Sequence, residues 1–317
     1  MKILLLLSIL AVFTIIILAE SDNFAYAEEP TKPIKMKIAI EVMNIGEVNK
    51  ETGAYELFFW VTMTSDDYDF TKQPPPPLDY ENGYVEDITA ISVKEHFYKF
   101  KARGVFFNAM DYKDHPFNKM NLAIHVKSII PFELEHLQFE TEPKFSGIRN
   151  ESFVSVPGYE IKKPYFFVSN QTYPWGEFSR YTMMIPIESS TTGVILKYFV
   201  PAILIAIFAF STYWIPSKYS DEKIEILAAI LVGSIFYHVT YLSAGIPSVQ
   251  YLTFADKVML SLYAIFGMTL LNVLIHKKLE HELKENYTAI VERKLNIKFR
   301  IITPIVAIII LLISIMF

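Results

Sequence analysis

The 317-residue chain carries 29 Lys and Arg against 34 Asp and Glu, a formal net charge of −5, yet 52% of its residues are hydrophobic and its mean hydropathy is +0.29. That apolar share is too high for a soluble protein with 20% charged residues, and it falls in long runs of the kind a lipid-spanning helix needs, about 20 residues each. The absence of cysteine excludes disulfides, thiolate zinc sites and cysteine nucleophiles.

The N-terminus has the form of a secretory signal. Lys2 is its positive region, Ile3 to Leu18 its apolar region, and Ala25 and Ala27 fit the small-x-small cleavage pattern. This predicts a signal peptide over 1–27 and a mature chain from Glu28, exported from the cytoplasm. A retained anchor is the competing reading.

Residues 28–193 contain no run long enough to span a bilayer. Alternating stretches at Lys35–Val42, Ala54–Thr64 and Met120–Val126 predict strands, because successive side chains of a strand face opposite sides. Turn signals separate them at Glu51–Gly53, Pro74–Pro77, Glu81–Gly83, Pro157–Gly158 and Pro174–Gly176. The pattern predicts an antiparallel all-β sandwich or barrel, outside the cytoplasm.

Residues 194–317 predict an all-α bundle of four membrane-spanning helices, at about 194–214, 220–243, 252–277 and 298–317, with a short polar linker over 278–297 whose Glu280–Lys294 part is expected to be an amphipathic or solvated helix. Lys277, Lys278, Lys284, Arg293, Lys294, Lys298 and Arg300 crowd between the third and fourth spans, which places that linker in the cytoplasm. The N-terminal domain and the C-terminus then lie outside a plasma membrane crossed four times. Residues 28–193 hold 24 acidic and 17 basic residues, and residues 194–317 hold 8 and 11. An acidic domain above a membrane path concentrates cations, although it also serves plain solubility.

The second span differs from its neighbours in carrying polar groups at membrane depth. Glu222, Ile226, Ile230, Gly233, Tyr237 and Thr240 fall within a sector of about 80° at 100° per residue. Several copies around an axis would turn each residue into a ring. Carboxylate rings select cations and apolar rings gate by dewetting. Two alternatives stay open. The polar residues also suit helix packing, and a one-residue shift of phase presents Lys223, Leu227, Leu231, Ser234 and His238 instead. His238 is a candidate for coupling pH to gating, and the competing reading, which such a residue more often follows, is a buried histidine bonded to a neighbouring helix.

The layout resembles the pentameric ligand-gated ion channels, the Cys-loop receptor superfamily, and in particular its cysteine-free prokaryotic members. His115-Pro116-Phe117-Asn118 through Leu122 resembles the signature aromatic-Pro-Phe-Asp-x-Gln. Pro201 lies where the family has a first-span proline, Trp214-Ile215-Pro216 resembles the end of that span, and Gly245-Ile246-Pro247 the proline after the pore helix. The resemblance covers about Ile38 to Phe317. It implies that 28–193 is an extracellular, ligand-binding, immunoglobulin-like sandwich, that the chain forms a homopentamer in the lipid bilayer with the second span lining a path for monovalent cations, and that agonist sites lie between subunits. Glu222 matches the intracellular-end glutamate of cation-selective members. Gly233 stands where a bulky gate residue is usual, which moves the expected gate to Ile226, Ile230 or Tyr237. Asn118 and Ser189 replace a carboxylate and an arginine that pair in the family, so domain coupling is expected to rest on Pro116, Phe117, Asn118 and Pro247, with the Pro116–Phe117 loop against the 243–251 connection. The hairpin Phe166–Tyr181 matches the capping loop, with Tyr173, Trp175, Phe178 and Tyr181 as candidate ligand aromatics, although such residues equally pack a β-domain.

No HExxH, phosphate loop, GxSxG or EF-hand pattern occurs. The reading is therefore not an enzyme: no cofactor, no metal, no nucleic acid, and a small molecule or proton as agonist. An anion-selective channel with Lys223 facing the path, and a non-conducting membrane-anchored sensor, are the alternatives.

Overall fold

The computed structural model describes residues 32–149, 154–283 and 289–316; the expected signal peptide lies outside them. A sheet-rich N-terminal region precedes four long apolar helices.

The strands are β1 (Ile34–Asn49), β2 (Ala54–Thr64), β3 (Leu78–Tyr80), β4 (Gly83–Lys94), β5 (Phe97–Phe107), β6 (Lys119–Ser128), β7 (Leu137–Thr141), β8 (Gly147–Ile148), β9 (Tyr159–Ile161), β10 (Tyr165–Tyr173) and β11 (Gly176–Ser189). One sheet runs β4-β5-β2-β1-β7 with β8 also on β1; the other runs β10-β11-β6-β3 with β9 also on β11. The β1 pairings with β7 and β8 are parallel.

Alternation builds the core. In β2, Tyr55, Leu57, Phe59, Val61 and Met63 are buried at every second position. They share one apolar cluster with Leu122, Ile124 and Val126 of β6 and Tyr181, Met183, Ile185 and Ile187 of β11, so the two sheets enclose a common core. The β1–β2 turn needs its glycine. Gly53 has φ +72°, and a Cβ there would meet the Asn108 carbonyl oxygen at 2.3 Å.

The helices are α1 (Thr191–Trp214), α2 (Ser217–Leu242), α3 (Phe254–Leu283) and α4 (Ala289–Met316). Two of them outrun their apolar windows. Residues 278–283 continue α3 and 289–297 open α4, so the expected linker is largely helical where described. Hydropathy reports membrane depth, whereas the helix persists into polar sequence that supports itself, as in the Lys278–Glu282 pair at 3.7 Å.

Candidate functional site

The rotation of α2 decides which of its residues can meet anything outside the protomer. Lys223 (1% exposed), Leu227 and Ser234 turn into the bundle. They follow one another at helical spacing, so a single face is used up by packing against α1 and α3. The shifted-phase set is thus the packed one.

The Glu222 stripe lies on the flank of that face. Glu222, Ile226, Gly233 and Thr240 are exposed, and Ile230 and Tyr237 are half-buried. A Cβ built on Gly233 meets nothing within 4 Å. At the foot of the helix, Asp221 is tied to Lys277 of α3 at 2.5 Å, and the exposed carboxylates Glu222 and Glu225 beside it form no ion pair among the described residues. The stripe is not uniform. Tyr237 leans toward α1, donates its hydroxyl to the Tyr198 carbonyl and stacks on Tyr241 at 5.8 Å. The backbone over Tyr237–Leu242 winds as a π-helix. Beyond Tyr237 the 100° spacing therefore no longer holds, and Thr240 nonetheless stays exposed.

His238 is engaged rather than open. Its Nε2 lies 2.8 Å from Asp256 Oδ1 and its Nδ1 3.0 Å from the Tyr263 hydroxyl. The other Asp256 oxygen accepts from the Thr253 amide and hydroxyl at 2.8 and 2.7 Å, capping the start of α3.

The loop before β6 joins the two regions through backbone groups. The first turn of a helix leaves N–H groups unpaired; here the carbonyls of Lys113 and His115 take those of Phe254 and Ala255 at 2.8 and 2.9 Å. His115 Nε2 meets the Leu242 carbonyl at 2.9 Å, and the Tyr251 hydroxyl accepts from the Tyr112 amide at 3.0 Å. Phe117 stacks on Phe199 of α1 at 5.5 Å and reaches Phe254 at 6.2 Å. The ring thus stacks on aromatics at the two helix ends, and Pro247 of the 243–251 connection is half-buried. Asn118 and Ser189 stand side by side, the Ser189 amide donating to the Asn118 carbonyl at 2.9 Å.

The capping hairpin divides its four aromatics. Trp175 is 59% exposed at the turn and stacks on Tyr173 at 5.4 Å. Phe178 and Tyr181 are fully buried, which removes them from any surface ligand site on this protomer. They lie an odd number of residues apart on one strand, so they face opposite sides of the sheet. Tyr181 belongs to the inter-sheet core. Phe178 and Tyr173 instead share Lys127, whose ammonium lies 5.2 Å from both ring centres and 2.8 Å from Asp79. A cation of the protein's own occupies these faces. Glu81 completes the patch, accepting from the Tyr173 hydroxyl and from Arg180 at 3.2 Å. Sequence pattern did not single out Lys127, Glu81, Tyr112 or Tyr251; each acts through a partner distant in the chain. Among the described residues no cluster of His, Asp and Glu has the makings of a metal site.

No protein-family model matches the chain, and no curated protein matches it.

Proposed function

We propose that the chain is one subunit of a homopentameric, cation-selective channel opened by an extracellular stimulus, with α2 lining the conducting path. The observation that carries this reading is the phase of α2. Its bundle consumes Lys223, Leu227 and Ser234 and leaves Glu222, Ile226, Gly233 and Thr240 facing out. A carboxylate, a glycine and a threonine set along a spanning helix gain little from lipid and are better served by water or by further copies of the same helix. The same phase favours cations over anions, since Lys223, the lysine that the shifted phase would turn to the path, is packed inside, although Lys218 lower on the helix is exposed.

Two sheets over one core support an immunoglobulin-like sandwich for the N-terminal region. The sandwich above four spans supports the likeness to pentameric ligand-gated channels drawn from His115–Leu122, Pro201 and Trp214–Pro216. The joint between Lys113–Asn118 and the ends of α1, α2 and α3 supplies a route by which a stimulus on the sheets reaches α2.

The test is the reversal potential of reconstituted protein in asymmetric sodium chloride. The expected value lies toward the sodium equilibrium potential, and Glu222→Gln lowers the preference for cations by about tenfold. A chloride-like reversal, or selectivity indifferent to Glu222→Gln, would contradict the reading. A stable, non-conducting monomer would point to a membrane-anchored binding protein instead.

A further inference from the structure

The faces of α2 differ in how far they stand from its packing. At 100° per residue the buried Lys223, Leu227 and Ser234 fall within about 40° of one another. The Glu222 stripe sits about a quarter turn from them. Opposite the packed face runs a third row, Glu225, Ala229, Val232 and Phe236, within a sector of about 60°. All four lie in Ser220–Phe236, where the winding is regular α-helix, so the constant step applies to them.

Every residue of this row is exposed. Val232 is 64% and Phe236 69% exposed, against 42% for Ile226 on the stripe. The one charge in the row is Glu225. It lies among Ile224, Ile226 and Leu227, and its carboxylate forms no ion pair or hydrogen bond among the described residues. The nearest lysines are engaged elsewhere: Lys277 holds Asp221, and Lys223 is turned into the bundle. A free carboxylate at such a position gains nothing from lipid and calls for water.

We infer that Glu225 is a further ion-selecting residue, set on the row of α2 that faces the axis of the assembly. The inference rests on the channel reading, under which α2 lines the path. α1 and α3 pack behind α2. When copies stand around an axis with their bundles outward, the face opposite the packing turns to the axis, and a face a quarter turn away turns toward the neighbouring α2. Glu225 then points at the axis, while Glu222 borders the path beside the next copy. Repeated in each copy, Glu225 forms a ring of carboxylates about 4.5 Å further along the helix than Glu222. Two acidic rings that close act on one ion together, drawing cations and turning back anions.

The test compares Glu225→Gln with Glu222→Gln in reconstituted full-length protein, by reversal potential in asymmetric sodium chloride. Glu225→Gln is expected to lower the preference for cations at least as far as Glu222→Gln, about tenfold. A carboxylate restored one turn up the same row, Ala229→Glu in the Glu225→Gln background, should recover most of the preference, which a merely structural role for Glu225 would not allow. Circular dichroism and gel filtration establish folding and assembly. If Glu225→Gln does not assemble, Ala229→Lys carries the test and should lower the preference to a like extent. An unchanged preference in conducting Glu225→Gln, with Glu222→Gln still lowering it, would overturn this inference and leave the channel reading standing. So would a conducting double variant in which Ala229→Glu restores nothing. A native protein with no cation preference would overturn the channel reading and this inference with it.

Discussion

His115 shows how much one side chain settles at the joint. It is buried, and desolvation holds its pKa below the ordinary 6.5; burial does the same to His125 in β6. Both are neutral in the folded protein at pH 7. Below about pH 6.5 the unfolded chain takes up protons that the folded one resists, so stability drops as the pH falls from 6.5 toward the folded values and levels off beneath them. The thermal midpoint is expected to fall by a few degrees between pH 7.5 and 5.5, and His115→Gln to remove part of that fall; an unchanged pH slope in the variant would count against this role. Motif reading located His115 next to Pro116 but not its bond to Leu242, 127 positions away. The same holds for Lys127, whose place between Tyr173 and Phe178 follows from strand register rather than from its neighbours in the chain. Residue identity was legible; the partner was not, wherever the partner came from a distant strand or helix.

At the level of elements, periodicity carried further. The alternation at 35–42, 54–64 and 120–126 lies within β1, β2 and β6, and the four apolar runs are α1 to α4. The phase of α2 was open to one residue from sequence, because polar groups occur on both candidate faces; packing of Lys223, Leu227 and Ser234 removes that freedom. The π-helix over Tyr237–Leu242 had no sequence signal, and it is the reason a constant 100° step describes only the lower part of the helix. The loop before β6 is an element whose work is done by carbonyls, which sequence does not display. Beside His115, its large apolar side chain at the joint is Phe117, set against Phe199 and Phe254. Phe117→Ala is expected to cost about 2 kcal/mol for a half-buried ring, read by chemical denaturation. The stimulus-evoked current should fall while unitary conductance holds. Gating left untouched in a folded variant would show that the joint transmits through backbone bonds alone.

For the whole molecule, the account joins an acidic, sheet-rich region to a helical bundle that leaves one polar flank of α2 unused. A single protomer has no way to enclose that flank, and copies around an axis do, with each outward residue repeated as a ring. The natural chain contains no cysteine, so a thiol can be introduced singly and read without background. The most direct measurement compares Gly233→Cys with Ser234→Cys, neighbours on α2 of which the first opens to space and the second is fully buried. A charged, thiol-reactive methanethiosulfonate reagent is applied during current recording. The account predicts irreversible block in Gly233→Cys and unchanged current in Ser234→Cys; block in Ser234→Cys alone would contradict it.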